Sequence, residues 1–417
     1  MYIGRNLTDT NTRWQFRALL HLMGAAGLFL LSTAAAQAQQ PTLHFTLPAP
    51  ANGGALPAGP LRVLSWHPPR HSSMVGKSIA DIAGLAAAAV TPATIPLWTG
   101  TGAPNFPDDQ FLMVGLDPTV PQKNPVSTIK AQVIPVKFVF SKNLVFDPTK
   151  KDACTPQPAL TMVQNSPIFK PVTLTVGGTL LGTGQFESLF QRGNFWAFTG
   201  PGKINPKYEV NLTYSALSEV TVDIQGGLTA PGPCDTLGLI EINAWDNLVL
   251  NTILPQLTKH GVGPTTLPIF LFYNVVMYDS TKPGNCCITG YHHAFLDNAM
   301  RLNTYVVSDY DKTGIFGNAL QDIMSMSHEI GEWMDDPTGG NPTPAWGNIG
   351  QVTDCQSNLE VGDPLSETVE IPSNTKTVYH VQDLAFKSWF YHDAVSAGVN
   401  GWYSLYGNFR TFAANCS

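Results

Sequence analysis

Short apolar runs bounded by Pro, Gly and Asn dominate the chain from residue 111 onward, and this pattern predicts strands. The run at residues 131–140 contains Pro135, which indicates an edge strand or a bulge because proline offers no N–H to a neighbouring strand. Further strands, rich in β-branched and aromatic residues, are predicted at residues 173–176, 208–213, 219–224, 267–277 and 303–308.

Two longer segments, residues 237–254 and 314–335, carry helical patterns. Plotted at about 100° per residue, the second has an apolar side made of Phe316, Leu320, Ile323, Ile330 and Met334. Its polar side holds Gln321, Ser325, His328 and Glu332. Strands and helices do not alternate strictly, so the order predicts an α+β fold in which a mixed sheet packs on this helix.

The N-terminal part divides into two segments before the main domain. Arginines at positions 5, 13 and 17 precede an apolar run at residues 18–31 and small residues that end at Ala38. This pattern predicts a signal peptide over residues 1–38, since a membrane span needs about 20 apolar residues. Residues 39–104 are rich in Pro, Ala and Gly and predict a loop-rich extended arm, with one short helix at residues 78–90. Residues 105–417 are expected to form a single domain.

Charge and cysteine content limit the cellular compartments and the binding partners that the protein could have. The net charge of −7 becomes −9 when the three Arg and one Asp of the signal peptide are removed, which argues against nucleic acid. We therefore expect a secreted protein, extracellular or periplasmic, with no membrane contact after cleavage. The six cysteines all follow residue 38 and favour disulfides. A four-thiolate zinc site is disfavoured, because there is no C-x-x-C pair; the connectivity stays open.

The helix at residues 314–335 carries the pentapeptide His328-Glu329-Ile330-Gly331-Glu332. His328 and Glu332 are one helical turn apart, so both side chains can bind one ion, and the α+β fold is expected to be zincin-like. Glu329 lies beside them and can act as general base towards a metal-activated water. Zinc is the first expectation for the cofactor, but a carboxylate in place of the second histidine keeps manganese, iron and calcium as alternatives.

A second acidic group follows the helix. Asp336-Pro337 ends the helix, because proline is not accommodated in a helix interior. Glu360, 28 residues after Glu332, and Asp363 are both candidates for a third ligand on a returning segment. The competing interpretation is that these acids are ordinary turn residues.

Several motifs in combination resemble the phosphate-induced, exordium-like secreted proteins of plants and their bacterial relatives. The resemblance covers residues 134–417 and rests on H-E-x-x-E-x-x-x-D-P at residues 328–337, on Glu-Val-Gly-Asp at residues 360–363, on Gly-Tyr-His at residues 290–292 and on Tyr-His-Val-Gln-Asp-Leu at residues 379–384. It implies that the metal ligands are His328, Glu332 and either Glu360 or Asp363. It also implies Glu329 as general base and a position near the site for His292. There His292 could act as a proton donor or oxyanion stabiliser, and the alternative is a hydrogen-bonded structural histidine.

These residues predict a secreted metal-dependent hydrolase, peptidase-like, that acts on peptides or on a cell-wall polymer. A hydrolase of esters or amidated glycans would use the same ligands. The alternative from a different class is a non-catalytic, metal-stabilised cell-surface protein that binds wall polysaccharide. Its binding surface would be the aromatic group Trp389, Phe390, Tyr391, Trp402 and Tyr403, although such groups more often belong to a core.

Overall fold

A computed structural model describes residues 43–49, 56, 60–87, 94–102, 109–281, 286–374, 377–395, 399, 401–411 and 416. Residues 40–417 form one compact unit. The predicted signal peptide, residues 1–38, lies outside the described residues.

The twenty strands of the described residues, in chain order, are β1 (Leu43–Leu47), β2 (Leu97–Thr101), β3 (Gln110–Val114), β4 (Val126–Ser141), β5 (Leu144–Phe146), β6 (Val172–Val176), β7 (Thr179–Gly184), β8 (Glu209–Ala216), β9 (Val220–Ile224), β10 (Leu228–Pro231), β11 (Thr236–Glu241), β12 (Thr266–Tyr273), β13 (Val275–Tyr278), β14 (Cys286–Ile288), β15 (Gly290–Leu296), β16 (Leu302–Tyr310), β17 (Pro342–Ile349), β18 (Val352–Asn358), β19 (Thr368–Pro372) and β20 (Val378–Gln382). The strands predicted from β-branched and aromatic runs are confirmed.

The α-helices of the described residues are fewer than the strands, and most of them are short. They are α1 (Ile79–Ala87), α2 (Ala159–Gln164), α3 (Phe186–Asn194), α4 (Trp196–Thr199), α5 (Ile242–Leu248), α6 (Leu254–Leu257), α7 (Met324–Asp335) and α8 (Lys387–Phe390). A π-helical turn, Val249–Ile253, joins α5 to α6.

A large curled mixed sheet runs in the order β1-β9-β4-β12-β16-β15, with β5 and β8 also paired to β4. Its inner pairs are parallel, whereas the edge strand β15 is antiparallel to β16. The helix α7 contacts β15 and β16, and it also contacts β20 and α3. The predicted packing of a mixed sheet on this helix is therefore confirmed, and β15 and α7 come together at one edge of the sheet.

A second sheet, in the order β10-β11-β13-β14, begins where β12 ends. Asn274 separates β12 from β13 with a positive φ of 54°, a conformation that asparagine tolerates better than most residues. This single residue transfers the chain from one sheet to the other. The strand β14 is the edge of this second sheet among the described residues.

Pro135 lies in a central strand, so the predicted edge position is wrong. The strand β4 has β12 on one side, while on the other side its partner changes from β8, paired up to Val133, to β9, paired from Val136. Residues 134 and 135 have no partner on that side, and the missing N–H of the proline is tolerated at this change of partner.

Both helical predictions are wrong at their N-terminal ends. Residues 314–323 form turns rather than helix, because Gly314 and Gly317 have positive φ and Asp322 bridges Asp311. The helix therefore starts at Met324. The segment from Leu237 begins as strand β11, whose buried apolar run pairs with β13, and helix starts only at Ile242. A short apolar run does not distinguish a buried strand from a buried helix.

All six cysteines are paired, as Cys154–Cys234, Cys286–Cys287 and Cys355–Cys416. The prediction of disulfides rather than a thiolate zinc site is confirmed, and these bonds indicate an oxidising compartment. Within the described part of the chain, no helix is long and apolar enough to cross a membrane.

Candidate metal centre

The helix α7 is buried along its whole length, so its polar side faces a site inside the protein rather than solvent. His328, Glu329 and Glu332 are 7%, 5% and 2% exposed. The Nε2 atom of His328 lies 3.0 Å from Oε2 of Glu332, as the spacing of one helical turn predicts. Side chains of this kind are rarely buried unless they are paired or bind an ion.

The loop after β18 brings Asp363 to the same place. Its Oδ1 atom lies 3.6 Å from Nε2 of His328, and the side chain is 1% exposed. The Gly362 N–H donates to Oε1 of Glu332, which leaves Oε2 of Glu332 directed at the histidine. His328, Glu332 and Asp363 thus form a buried group whose ligand atoms could hold one metal ion.

The strand β15 supplies His292 from the opposite side. Its Nδ1 atom lies 3.5 Å from Oε2 of Glu329 and 3.8 Å from Oε2 of Glu332, which defines a second group that could hold an ion. Nε2 of His292 donates to the carbonyl oxygen of Asp336 at 2.9 Å, and burial lowers the pKa of the imidazole. Nδ1 of a neutral ring in this tautomer offers a lone pair, as a metal ligand requires.

His328 is oriented in the same way by Gln382. The amide Nε2 of Gln382 donates to the carbonyl oxygens of Gly362 and Leu365, so its Oε1 accepts from Nδ1 of His328 at 2.9 Å. The lone pair of the histidine is then on Nε2, next to Glu332 and Asp363. Such a contact fixes the tautomer and direction of a metal-binding histidine.

Glu360 belongs to neither group but lies beside His292. Its Oε1 atom accepts from Asn358 at 2.8 Å and lies 3.5 Å from Nδ1 of His67. Its Oε2 atom lies 3.9 Å from Nε2 of His292 and has no hydrogen-bond partner among the described residues. Burial and the surrounding carboxyl groups raise the pKa of Glu360 well above its usual range. Of the two predicted third ligands, Asp363 lies next to His328 and Glu332, whereas Glu360 lies next to His292.

The charge balance of this cluster fits a divalent cation. Burial raises the pKa of Glu329 to about 7. Burial also opposes ionisation of Asp363, but hydrogen bonds and nearby imidazoles hold its pKa at about 2. Asp363 has hydrogen-bonding partners in Ser65 and His67, whereas Oε2 of Glu360 has none among the described residues. Imidazole and carboxylate ligands together suit zinc, iron or manganese better than calcium, which prefers oxygen alone.

Two glycines make room for these side chains. A Cβ atom on Gly362 would lie 2.5 Å from Nδ1 of His328, and one on Gly290 would lie 2.7 Å from Cγ of Glu329. These are the glycines of the Glu-Val-Gly-Asp and Gly-Tyr-His motifs. Each motif therefore supplies a polar side chain to the cluster and also a glycine that leaves room for the side chains of α7.

Ser65 and His67, in the N-terminal arm, also reach the centre, and the sequence analysis missed them. The Ser65 hydroxyl donates to Oδ2 of Asp363 at 2.6 Å, and Nε2 of His67 lies 3.1 Å from the same oxygen. Burial would lower the pKa of His67, but the hydrogen bond and charge of Asp363 raise it to about 9. No local pattern marks these residues, because the contact joins positions almost 300 residues apart.

The remaining aromatic and histidine candidates are structural. Trp389, Phe390, Tyr391 and Trp402 are buried in a hydrophobic core, and Tyr403 is partly buried against it, so the core interpretation is confirmed for this group. His293 faces away from the centre, where its Nδ1 atom is 3.0 Å from the hydroxyl of Tyr305.

Comparison with protein-family models, curated proteins and solved structures finds no match for this chain. What the centre binds is therefore inferred from its own donor atoms.

Proposed function

We propose that this chain is a secreted, metal-dependent hydrolase with a zincin-like site, and that its substrates are peptides. His328, Glu332 and Asp363 would hold the cation, with His292 as a further donor beside the shared Glu332 oxygen. When bound, a divalent cation supplies Lewis acidity for hydrolysis. The motifs at residues 328–337 and 360–363 both contribute to the centre, which supports a relationship to the exordium-like proteins.

The observation that carries the proposal is the position of Glu329. Its Oε1 atom lies 3.9 Å from Nε2 of His328, and Glu329 belongs to the second group, with His292 and Glu332, rather than to the group formed by His328, Glu332 and Asp363. With the ion in the group of His328, Glu332 and Asp363, Glu329 is a further buried carboxylate beside the ligands, which a purely structural site would not need. In a hydrolase this group accepts the proton of the attacking water and later delivers it to the leaving amine.

Two variants separate the roles of these side chains. Glu329→Gln should retain the metal and lose hydrolysis of a diverse peptide library, whereas Glu332→Ala should lose the metal, with affinity reduced by more than about 100-fold. Elemental analysis and peptide cleavage, measured on the same samples, test both. Full cleavage by Glu329→Gln would contradict the general-base role.

A metal-stabilised, non-catalytic protein is the second candidate, and the tightness of the centre favours it. The cavity beside the ligands has a volume of about 10 Å³, room for about one water molecule. In that case chelation lowers the melting temperature, while Glu329→Gln changes neither stability nor any activity. The buried aromatic group gives no support to polysaccharide stacking.

A further inference from the structure

The small cavity beside the ligands has a specific cause. Residues 61–68, here called the covering segment, cross the metal centre without forming a helix or strand. Leu64, Ser65, Trp66 and His67 line one part of the cavity, and ligands such as His328 and Asp363 line another. The space that a substrate would need next to the ligands is therefore filled by the chain's own N-terminal arm.

The covering segment is held by backbone bonds to the edge strand of the second sheet. The Cys287 N–H donates to the carbonyl oxygen of Arg62, and the Leu64 N–H donates to the carbonyl oxygen of Cys287 at 2.9 Å. Cys287 belongs to β14, the edge strand of the second sheet. A strand edge recognises the backbone of an extended polypeptide through such bonds, whatever the side chains are.

Side chains then fix the segment over the ligands. Ser65 and His67 both contact Oδ2 of Asp363, so the Oδ1 atom remains directed at His328. The Trp66 ring packs edge-on against Tyr291, with ring centroids 5.3 Å apart. The segment thus combines backbone pairing with side chains in neighbouring pockets, as a bound peptide does.

Burial differs between the covering segment and what it covers. None of residues 61–68 is fully buried, and the side chain of His67 is 29% exposed. Below it, Glu332 and Asp363 are at most 2% exposed. Leu61, Val63 and Trp66 pack against neighbouring hydrophobic clusters, but the segment forms no helix or strand and is only partly buried. Its opening therefore costs less free energy than unfolding of the buried centre beneath it.

We propose that residues 61–68 occupy the substrate path of the metal centre, and that the site takes an extended polypeptide paired to the edge of β14. The inference rests on the proposed hydrolase function and names its substrate geometry. It also makes the protein latent: substrate enters only when the covering segment leaves.

The full-length, zinc-loaded protein tests this with the double variant Ser65→Ala/His67→Ala. The matched control is His44→Ala, an exposed histidine of the same arm that contacts Asp223. Removing hydrogen bonds to a charged group should let EDTA extract zinc at least about tenfold faster than from the wild type or the control. Before EDTA is added, the zinc content of the double variant should equal that of the wild type.

Binding of a peptide supplies the second measurement. A fluorescent peptide with the sequence of residues 60–69 should bind the double variant and not the wild type, as measured by anisotropy. The same peptide with N-methylated backbone amides should not bind, because it cannot pair with β14. Unchanged zinc extraction without peptide binding would overturn the proposal. Loss of zinc from the double variant before EDTA would also overturn it, since the segment would then support the ligands rather than cover them.

Amide hydrogen exchange measured on the wild-type protein tests opening of the covering segment without any variant, so the result does not depend on whether the double variant folds. The Leu64 amide should exchange at least about 100-fold faster than that of Ile269 in β12, because it opens locally; equal rates would contradict withdrawal. Peptide binding without cleavage by the double variant would reject the hydrolase and leave the docking site intact.

Discussion

Two buried acidic sites in this protein are built on different principles. Asp383 is fully buried, and its oxygens accept from the Ser404 hydroxyl at 2.8 Å, from the Tyr406 N–H at 2.9 Å and from the Asn408 amide at 2.8 Å. The metal centre collects several carboxyl groups and leaves one oxygen of Glu360 without a partner. Asp383 obtains all its donors from the protein, whereas the cluster of His328, Glu332 and Asp363 has the side chains that a cation would need.

Removal of the cation should give the largest difference between the two sites. A ligand present at about 1,000 times its Kd stabilises the folded state by about 4 kcal/mol. Chelation should therefore lower the melting temperature by several degrees, as measured by differential scanning calorimetry of the zinc-loaded protein. The shift should be the same in an Asp383→Ala background. A shift that vanishes there would show that the two sites are not independent.

Asp383→Ala should be next in size. It leaves the donors of Ser404, Tyr406 and Asn408 without their acceptor inside the protein, which costs about 3 kcal/mol. Denaturant unfolding measures the loss, and zinc affinity should not change. Asp223→Ala is the control, because this aspartate pairs with His44 on the surface and should change stability by less than about 1 kcal/mol.

Gln382→Ala should have the smallest effect of the three. It removes the acceptor that orients His328, and contacts of this kind are worth about 10- to 100-fold in metal affinity. Competition with a chromogenic zinc chelator measures it against Gln225→Ala, a substitution at an exposed position. An unchanged affinity would mean that His328 keeps its direction without Gln382. Gln382 and Asp383 are sequence neighbours, so this pair tests whether adjacent residues serve separate sites.

The strands and the core of the site could be predicted from sequence because both follow local spacing. β-branched runs identified the strands, and the spacing of one helical turn placed His328 beside Glu332. The start of α7 could not be predicted, because the turns at Gly314 and Gly317 depend on a bridge between Asp311 and Asp322. The helical spacing of apolar residues continues from residue 314 through these turns, so the sequence pattern does not reveal where the helix begins.

The missed part of the site depends on contacts distant in sequence. Ser65 and His67 lie in a segment whose composition indicates only an extended arm, and nothing nearby points to Asp363. The choice between Glu360 and Asp363 was also beyond the sequence. It depends on how the loop after β18 turns, with Gly362 packed against His328.

The central position of β4 has a consequence for folding kinetics. Its partners β8, β9 and β12 all follow it at long sequence separation, and the pairs are parallel. Loops of this length must close before the pairings are gained, so assembly of the sheet is expected to be slow. The edge strand β15 is attached beyond β12 and β16, so we expect His292 to reach α7 only after the sheet has formed. A cation bound between them would then act on a finished fold, stabilising the native state after the slow step rather than guiding the chain through it.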